Sequence, residues 1–155
     1  MFEKTLVCLD GSKLAEQILP YAKEQALRFK SKITFLQVVT LSKDDFASVT
    51  SRTPADESQM VQKRIQQEKS NAEEYLERVR KSFQAKGLEI ECAVLHEKPV
   101  GKAIVEYANK NNFDLIAIAT HGRGGLGRLV FGSVANHVIS ESSLPILVIN
   151  PRDET

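Results

Sequence analysis

Short apolar runs alternate with longer helical patterns along the whole chain, and this is the pattern of βαβ units that build a parallel sheet. Five strand-like runs are legible. The first, about Thr5 to Leu9, is apolar on both faces, as an interior strand must be. Asp10-Gly11-Ser12 then turns the chain into a helix with Ser12 as a natural N-cap and Leu14, Ile18, Ala22 and Phe29 on its inward face. Pro20 lacks a backbone donor and predicts a kink or loosened turn inside that helix. A second strand from about Ile33 to Val39 leads into Thr40 to Glu57, a polar stretch without a period that reads as a mobile loop (residues 40–57).

From Ser58 to Lys86 a long helix carries Val61, Ile65, Ala72, Leu76, Val79 and Phe83 on one face, with Gly87 as its stop. Its charged face reads as a solvated surface with pairs such as Glu74 with Arg78 and Glu77 with Lys81. Strand three, about Glu89 to Leu95, alternates apolar and polar residues and predicts a half-exposed sheet edge. Pro99 opens a helix through about Asn111 with Ile104, Val105 and Ala108 inward, and the wholly apolar Leu115 to Ala119 predicts a central strand. Ser133 to Ser140 reads as the last helix and Pro145 to Ile149 as the fifth strand. Nothing resembles a repeat or linker, so residues 1–150 read as one domain and 151–155 as a tail.

Composition narrows the function classes. With 21 Lys+Arg against 20 Asp+Glu, the net charge of +1 leaves no whole-surface basic footprint for nucleic acid or an anionic membrane. No run approaches the roughly 20 apolar residues of a membrane span, and the N-terminus lacks the basic start of a secretion signal, so the cytoplasm is the expected address. Cys8 and Cys92 both lie in strand-like runs without metal or CxxC spacing and read as buried thiols, which suits a reducing compartment.

Any charge-based recognition must therefore be local, and one segment qualifies. Thr120 to Ser133 holds five of the eight glycines, follows an apolar strand and precedes a helix. Glycines let backbone amides approach a ligand, and a helix N-terminus presents unpaired N–H groups with partial positive charge, a combination suited to phosphate. From Leu115 through Ser140 there is no Asp or Glu, whereas Arg123 and Arg128 are present, a local charge of +2. Ser133 suits either a cap or a hydroxyl donor to phosphate. A plain flexible connection is the alternative.

No Lys stands before Ser133, so the P-loop GxxxxGK[ST] is excluded. Gly122-Arg123-Gly124-Gly125-Leu126-Gly127 matches GxGxxG, but the dinucleotide fingerprint belongs to a first βα turn followed by a second half-domain, and here one strand remains. His121 neighbours the loop and reads equally as a phosphate contact or a turn filler. No paired carboxylates, Ser/His/Asp set or metal-ligand spacing assembles a catalytic group, so the sequence supports binding with at most slow hydrolysis.

Ala119-x2-Gly122-x9-Gly132-Ser133 resembles the Gly-x2-Gly-x9-Gly-Ser/Thr of nucleotide-binding members of the universal stress protein (UspA-like) family, with Ala119 replacing the first glycine. Leu6-Val7-Cys8-Leu9-Asp10-Gly11-Ser12 is similar to that family's opening strand and turn, and Leu144 to Ile149 to its closing strand, so the likeness covers nearly the whole chain. It implies an α/β single domain with an open five-stranded parallel sheet of order 3-2-1-4-5 and helices on both faces, of the Rossmann-like adenine nucleotide alpha hydrolase type. It also implies ATP with Mg²⁺ or Mn²⁺ at the crevice beside strands one and four. Asp10, next to Leu9, would face the ribose or a phosphate-bound metal, and Val38 backbone would hold adenine. Ala119, His121, Gly122, Arg123, Gly132, Ser133 and Val134 would surround the phosphates. Asp10 reads equally as a turn residue, and Val38 as plain core. A homodimer through strand 145–149 and an unidentified signalling partner follow from the same likeness. A dimeric interaction module that does not bind ATP is the alternative, to which Ala119 points, and a slow ATPase is a third.

Overall fold

In the computed structural model, which describes residues 1–42, 53–120 and 132–152, five parallel strands form one sheet of order β3-β2-β1-β4-β5. The chain runs β1 (Lys4–Cys8), α1 (Lys13–Glu16), α2 (Leu19–Phe29), β2 (Lys32–Val38), α3 (Pro54–Phe83), β3 (Ile90–Leu95), α4 (Val100–Lys110), β4 (Leu115–Ala119), α5 (Ser133–Glu141) and β5 (Ile146–Ile149). Each crossover is long enough to carry a helix, which a parallel pairing requires. The first two crossovers move outward to β3 and the next two return past β1 to β5. α1, α2 and α3 therefore cover one face while α4 and α5 cover the other.

Alternation along the strands feeds two apolar layers. Val7, Leu9, Ile33, Phe35 and Ala117 meet Ile18, Ala22, Leu76, Val79 and Phe83 on the first face, where Phe35 and Phe83 stack edge to face at 5.1 Å. Leu6, Cys8, Leu36, Ile116 and Ile118 meet Ile104, Val105, Ala108 and Val138 on the second. The five residues of β4 are all buried, as a central strand demands, and the exposed or half-buried residues of β3 mark it as an edge. Phe35 and Leu76 are fully enclosed, each worth about 1.5–3 kcal/mol of apolar burial.

Several expectations change. Pro20 does more than kink a helix: the pattern divides into α1 and α2, with proline within the first two residues of α2, where its missing N–H costs no intrahelical bond. Phe29 lies outward and stacks on Phe2 at 5.2 Å, because the left-handed Lys30 ends the helix there. Within the expected loop 40–57, residues 43–52 lie outside the described residues, but Pro54 to Glu57 are helical: Thr53 and Asp56 form a capping box that starts α3 ahead of Ser58. α3 stops at Phe83, not Lys86, and Gly87 (φ +87°) serves the turn beyond it. Glu77 is forked by Arg80 Nε and Nη2 at 2.8 and 2.6 Å in place of Lys81. Cys92 is exposed, since an edge strand has a neighbour on one side only, whereas Cys8 is buried as expected.

Candidate functional site

The C-terminal ends of β1 and β4 meet where the sheet order reverses. Val7 pairs with Ala117, so the parallel register carried three residues on sets Asp10 beside Thr120. Chains leave these two strands toward opposite faces, which opens a crevice between them. Leu9 is buried, and its N–H donates to Leu36 O at 2.9 Å as the last bond of the β1–β2 ladder. One residue later Gly11 (φ +85°) turns the chain. Asp10 Oδ1 accepts from the Ser12 N–H at 2.8 Å, and Ser12 Oγ accepts from the Ala15 N–H at 3.1 Å. Both roles expected of this turn are thus geometrically open: Asp10 is a turn residue and also stands at the crevice.

Val38 puts its side chain into the layer beneath α4 and α5, so as core it matches the sequence reading. Its backbone is the relevant part. Val39 N–H is spent on Leu95 O of β3, and alternation turns the N–H and C=O of Val38 toward β1, past the last ladder bond.

The opposite wall is the start of α5. Gly132 is its N-cap, correcting Ser133 as the capping residue; Ser133 is the first helical residue and exposed. Gly132 N–H donates to Thr120 O at 2.8 Å, and the Asn136 N–H reaches Gly132 O at 2.9 Å. Helix geometry leaves the N–H groups of Ser133, Val134 and Ala135 without intrahelical acceptors, and among the described residues no side chain caps them. A Cβ on Gly132 would lie 2.9 Å from Thr120 O, closer than carbon and a backbone oxygen tolerate. Glycine here is therefore a matter of space, its φ of −55° being open to any residue. Thr120 is buried, its N–H bonds to Ile149 O and its hydroxyl lies 3.1 Å from Asn150 Oδ1, which ties this wall to the end of β5.

Ala119 is 7 % exposed and, by alternation, shares the α1 face with Ala117. Its methyl therefore packs within the sheet layer. His121, Gly122 and Arg123, expected at the phosphates, lie outside the described residues, as does Arg128.

Sequence reasoning missed Tyr75. Its hydroxyl donates to Glu16 Oε1 at 3.2 Å, while Lys13 Nζ holds Glu16 Oε2 at 2.8 Å, so α3 is tied to the helix that follows Asp10. Burial first, then the Glu16 and Asp10 carboxylates, push the Tyr75 phenol well above its ordinary range, so it stays a donor. No signal marked it, because Tyr75 falls between the apolar positions of the α3 stripe. His137 packs beneath Gly101, where a Cβ would meet its Cβ at 2.7 Å, so it serves the α4–α5 contact. Among the described residues no group of three or more His, Cys, Asp or Glu could hold a metal, and no helix is long and apolar enough to cross a membrane.

The sequence profile of the universal stress protein family matches residues 1–150. Universal stress protein MJ0531 of Methanocaldococcus jannaschii is 30% identical over 99% of this chain and 86% of its own length. Among solved structures, MJ0577 of the same organism superposes with a TM-score of 0.76 at 23% identity, covering 99% of both chains. A universal stress protein in complex with cAMP superposes at 0.62 with 19% identity, covering 97% of this chain and 98% of that one. One from Archaeoglobus fulgidus in complex with dAMP superposes at 0.59 with 21% identity, covering 96% of this chain and 99% of that one.

Proposed function

The chain belongs to the universal stress protein family, and from that premise we propose that it is an ATP-binding regulator whose nucleotide lies across the crevice between the Asp10 turn and the start of α5. The observation that carries the reading is Gly132. The residue beside an anion-ready helix start has room for no side chain, because Thr120 O stands 2.9 Å from where a Cβ would be. A phosphate in that space would accept from the Ser133 and Val134 N–H groups, with the Ser133 hydroxyl as a further donor. Two universal stress proteins of the same fold hold adenine nucleotides, cAMP and dAMP, which supports adenine as the base.

Each remaining residue has a defined task in this reading. The Val38 backbone, open toward the end of β1, would take the adenine edge, and Asp10 would accept from ribose hydroxyls. His121, Gly122 and Arg123 would close over the phosphates, Arg123 adding charge where no acid intervenes. The Ala119 methyl is buried in the sheet layer, which supports binding despite the replacement of the family's first glycine. Mg²⁺ or Mn²⁺ would be held mainly by the phosphates with Asp10 nearby, and its contribution is charge neutralisation. Among the described residues no side chain is poised as a base for hydrolysis, which supports a protein that acts by binding. β5 is an edge strand with Ile146 and Val148 in its apolar layer, and a second copy pairing there would give the homodimer, whose state a signalling protein then reads. Isothermal calorimetry with MgATP tests the reading: saturable binding is expected, and a folded protein with no heat at millimolar ATP sinks it.

A further inference from the structure

The side chains of β2 alternate between the two layers, Ile33 and Phe35 toward α3, Leu36 and Val38 toward α4 and α5, so Gln37 falls on the α3 side. It is the last β2 residue on that face. Its ladder neighbours are Val94 of β3 and, across the Leu9–Leu36 bond, Leu9, both packed in the apolar layer. Into this wall the chain inserts an amide whose Oε1 is buried with no hydrogen-bond partner among the described residues. An enclosed, unpaired carbonyl oxygen loses its water without gaining a partner, and a Leu or Met of similar size would avoid that loss. The other two inward positions of β2 are Ile33 and Phe35, so packing alone does not ask for glutamine here.

The location supplies a reason. Gln37 stands beside Leu9, which leads directly into Asp10, and precedes Val38, whose backbone opens past the end of β1. The residue is only half-buried, so part of it meets solvent, and among the described residues no hydrogen bond holds the oxygen inward. Turning the amide outward breaks nothing at that end and removes the orphan.

Resting on the adenine-nucleotide reading, we infer that Gln37 selects the base: Oε1 accepts from the exocyclic N6 amine of adenine while Nε2 donates to ring N7. A glutamine amide matches that donor–acceptor pair bidentately. Hypoxanthine and guanine offer O6 beside N7, two acceptors, so one oxygen would face another across the contact. The residue is a specificity determinant and leaves phosphate binding to α5.

The test is calorimetric binding of MgATP and MgITP, which differ in N6 against O6, to the wild-type protein, Gln37→Leu and Gln37→Met, with thermal melts of each. Wild type is expected to prefer ATP by at least about tenfold, the scale on which an unpaired polar group discriminates. Both variants should bring the ratio within about threefold by weakening ATP more than ITP, with melting temperatures equal or raised because the orphan is gone. A wild type that binds ATP and ITP equally, or variants that keep its ratio, overturn the inference and leave adenine-nucleotide binding standing. A folded wild type that binds neither overturns both.

Discussion

The two edges of the sheet are built on different principles. At the N-terminal edge, side chains close the backbone: Asp114 accepts from the Glu3 and Lys4 N–H groups at 2.8 and 3.2 Å, and Lys4 Nζ reaches Asn111 O at 2.7 Å. Gln25 links Thr5 to Ser31, whose hydroxyl donates to Phe2 O, and Lys32 is clasped by Glu89 and Glu91 at 2.5 and 3.0 Å. At the C-terminal edge the described residues leave polar groups uncommitted, with no side-chain cap at the helix start at Gly132 and an unpartnered amide oxygen at Gln37. A fold can afford such groups where a ligand completes them, and the opposite edge holds the strands together meanwhile.

That contrast can be broken by substitution. The largest effect is expected from Gly132→Asp, which forces a side chain against Thr120 O and sets a carboxylate at the phosphate position. MgATP affinity should fall at least about 100-fold, which is some 2.7 kcal/mol, and the melting temperature should fall as well, because the start of α5 must shift from the Thr120 backbone to admit the Cβ. Equal affinity in this variant would mean the start of α5 is not the phosphate site. Asp114→Ala is the mirror experiment: losing the acceptor of two backbone donors should cost about 1–2 kcal/mol, a melting shift of several degrees, with ATP affinity unchanged. A matching loss of affinity would show that the edges are not independent.

The smallest effect concerns the thiols. Burial pushes Cys8 up from 9.0 to about 12, whereas the exposed Cys92 is raised by partial burial and the Glu77 carboxylate. At pH 8 iodoacetamide should modify Cys92 and spare Cys8, checked by mass spectrometry of the peptides. Because the unfolded Cys8 gives up its proton near pH 9 and the folded one does not, stability is fully present below pH 9. It should then fall as pH rises from 9 toward 12, as a denaturant series would record.

Much of the fold could be read from periodicity. Leu115 to Ala119, apolar throughout, announced a central strand, and the alternation at Ile90, Cys92 and Val94 announced an edge, because burial on two faces or one leaves a direct mark on composition. The marks that failed are local competitions. Pro20 allows a kink or a fresh helix start with equal ease, and the Thr53–Asp56 capping box outweighed a stretch that looked periodless. Of the candidate site, Asp10, Gly132 and Ser133 stood out as turn and helix-start residues around a glycine-rich segment, and Val134 followed from the family resemblance. Tyr75 and Gln37 carried no signal, since each depends on a neighbour brought near by the fold: Glu16 for one, Leu9 and Val94 for the other.

By itself, then, the sequence determined the βαβ order, the faces each element buries and the glycine-rich, acid-free approach to α5, all of them properties of residues close in the chain. Only the tertiary structure decided that Gly132 has no room for a Cβ, that Ser133 follows the cap, and that an amide oxygen in an apolar wall lacks a partner among the described residues. Those facts turn on distances to Thr120 and on the parallel register of β1, β2 and β3, and packing sets such distances between segments that no local pattern connects.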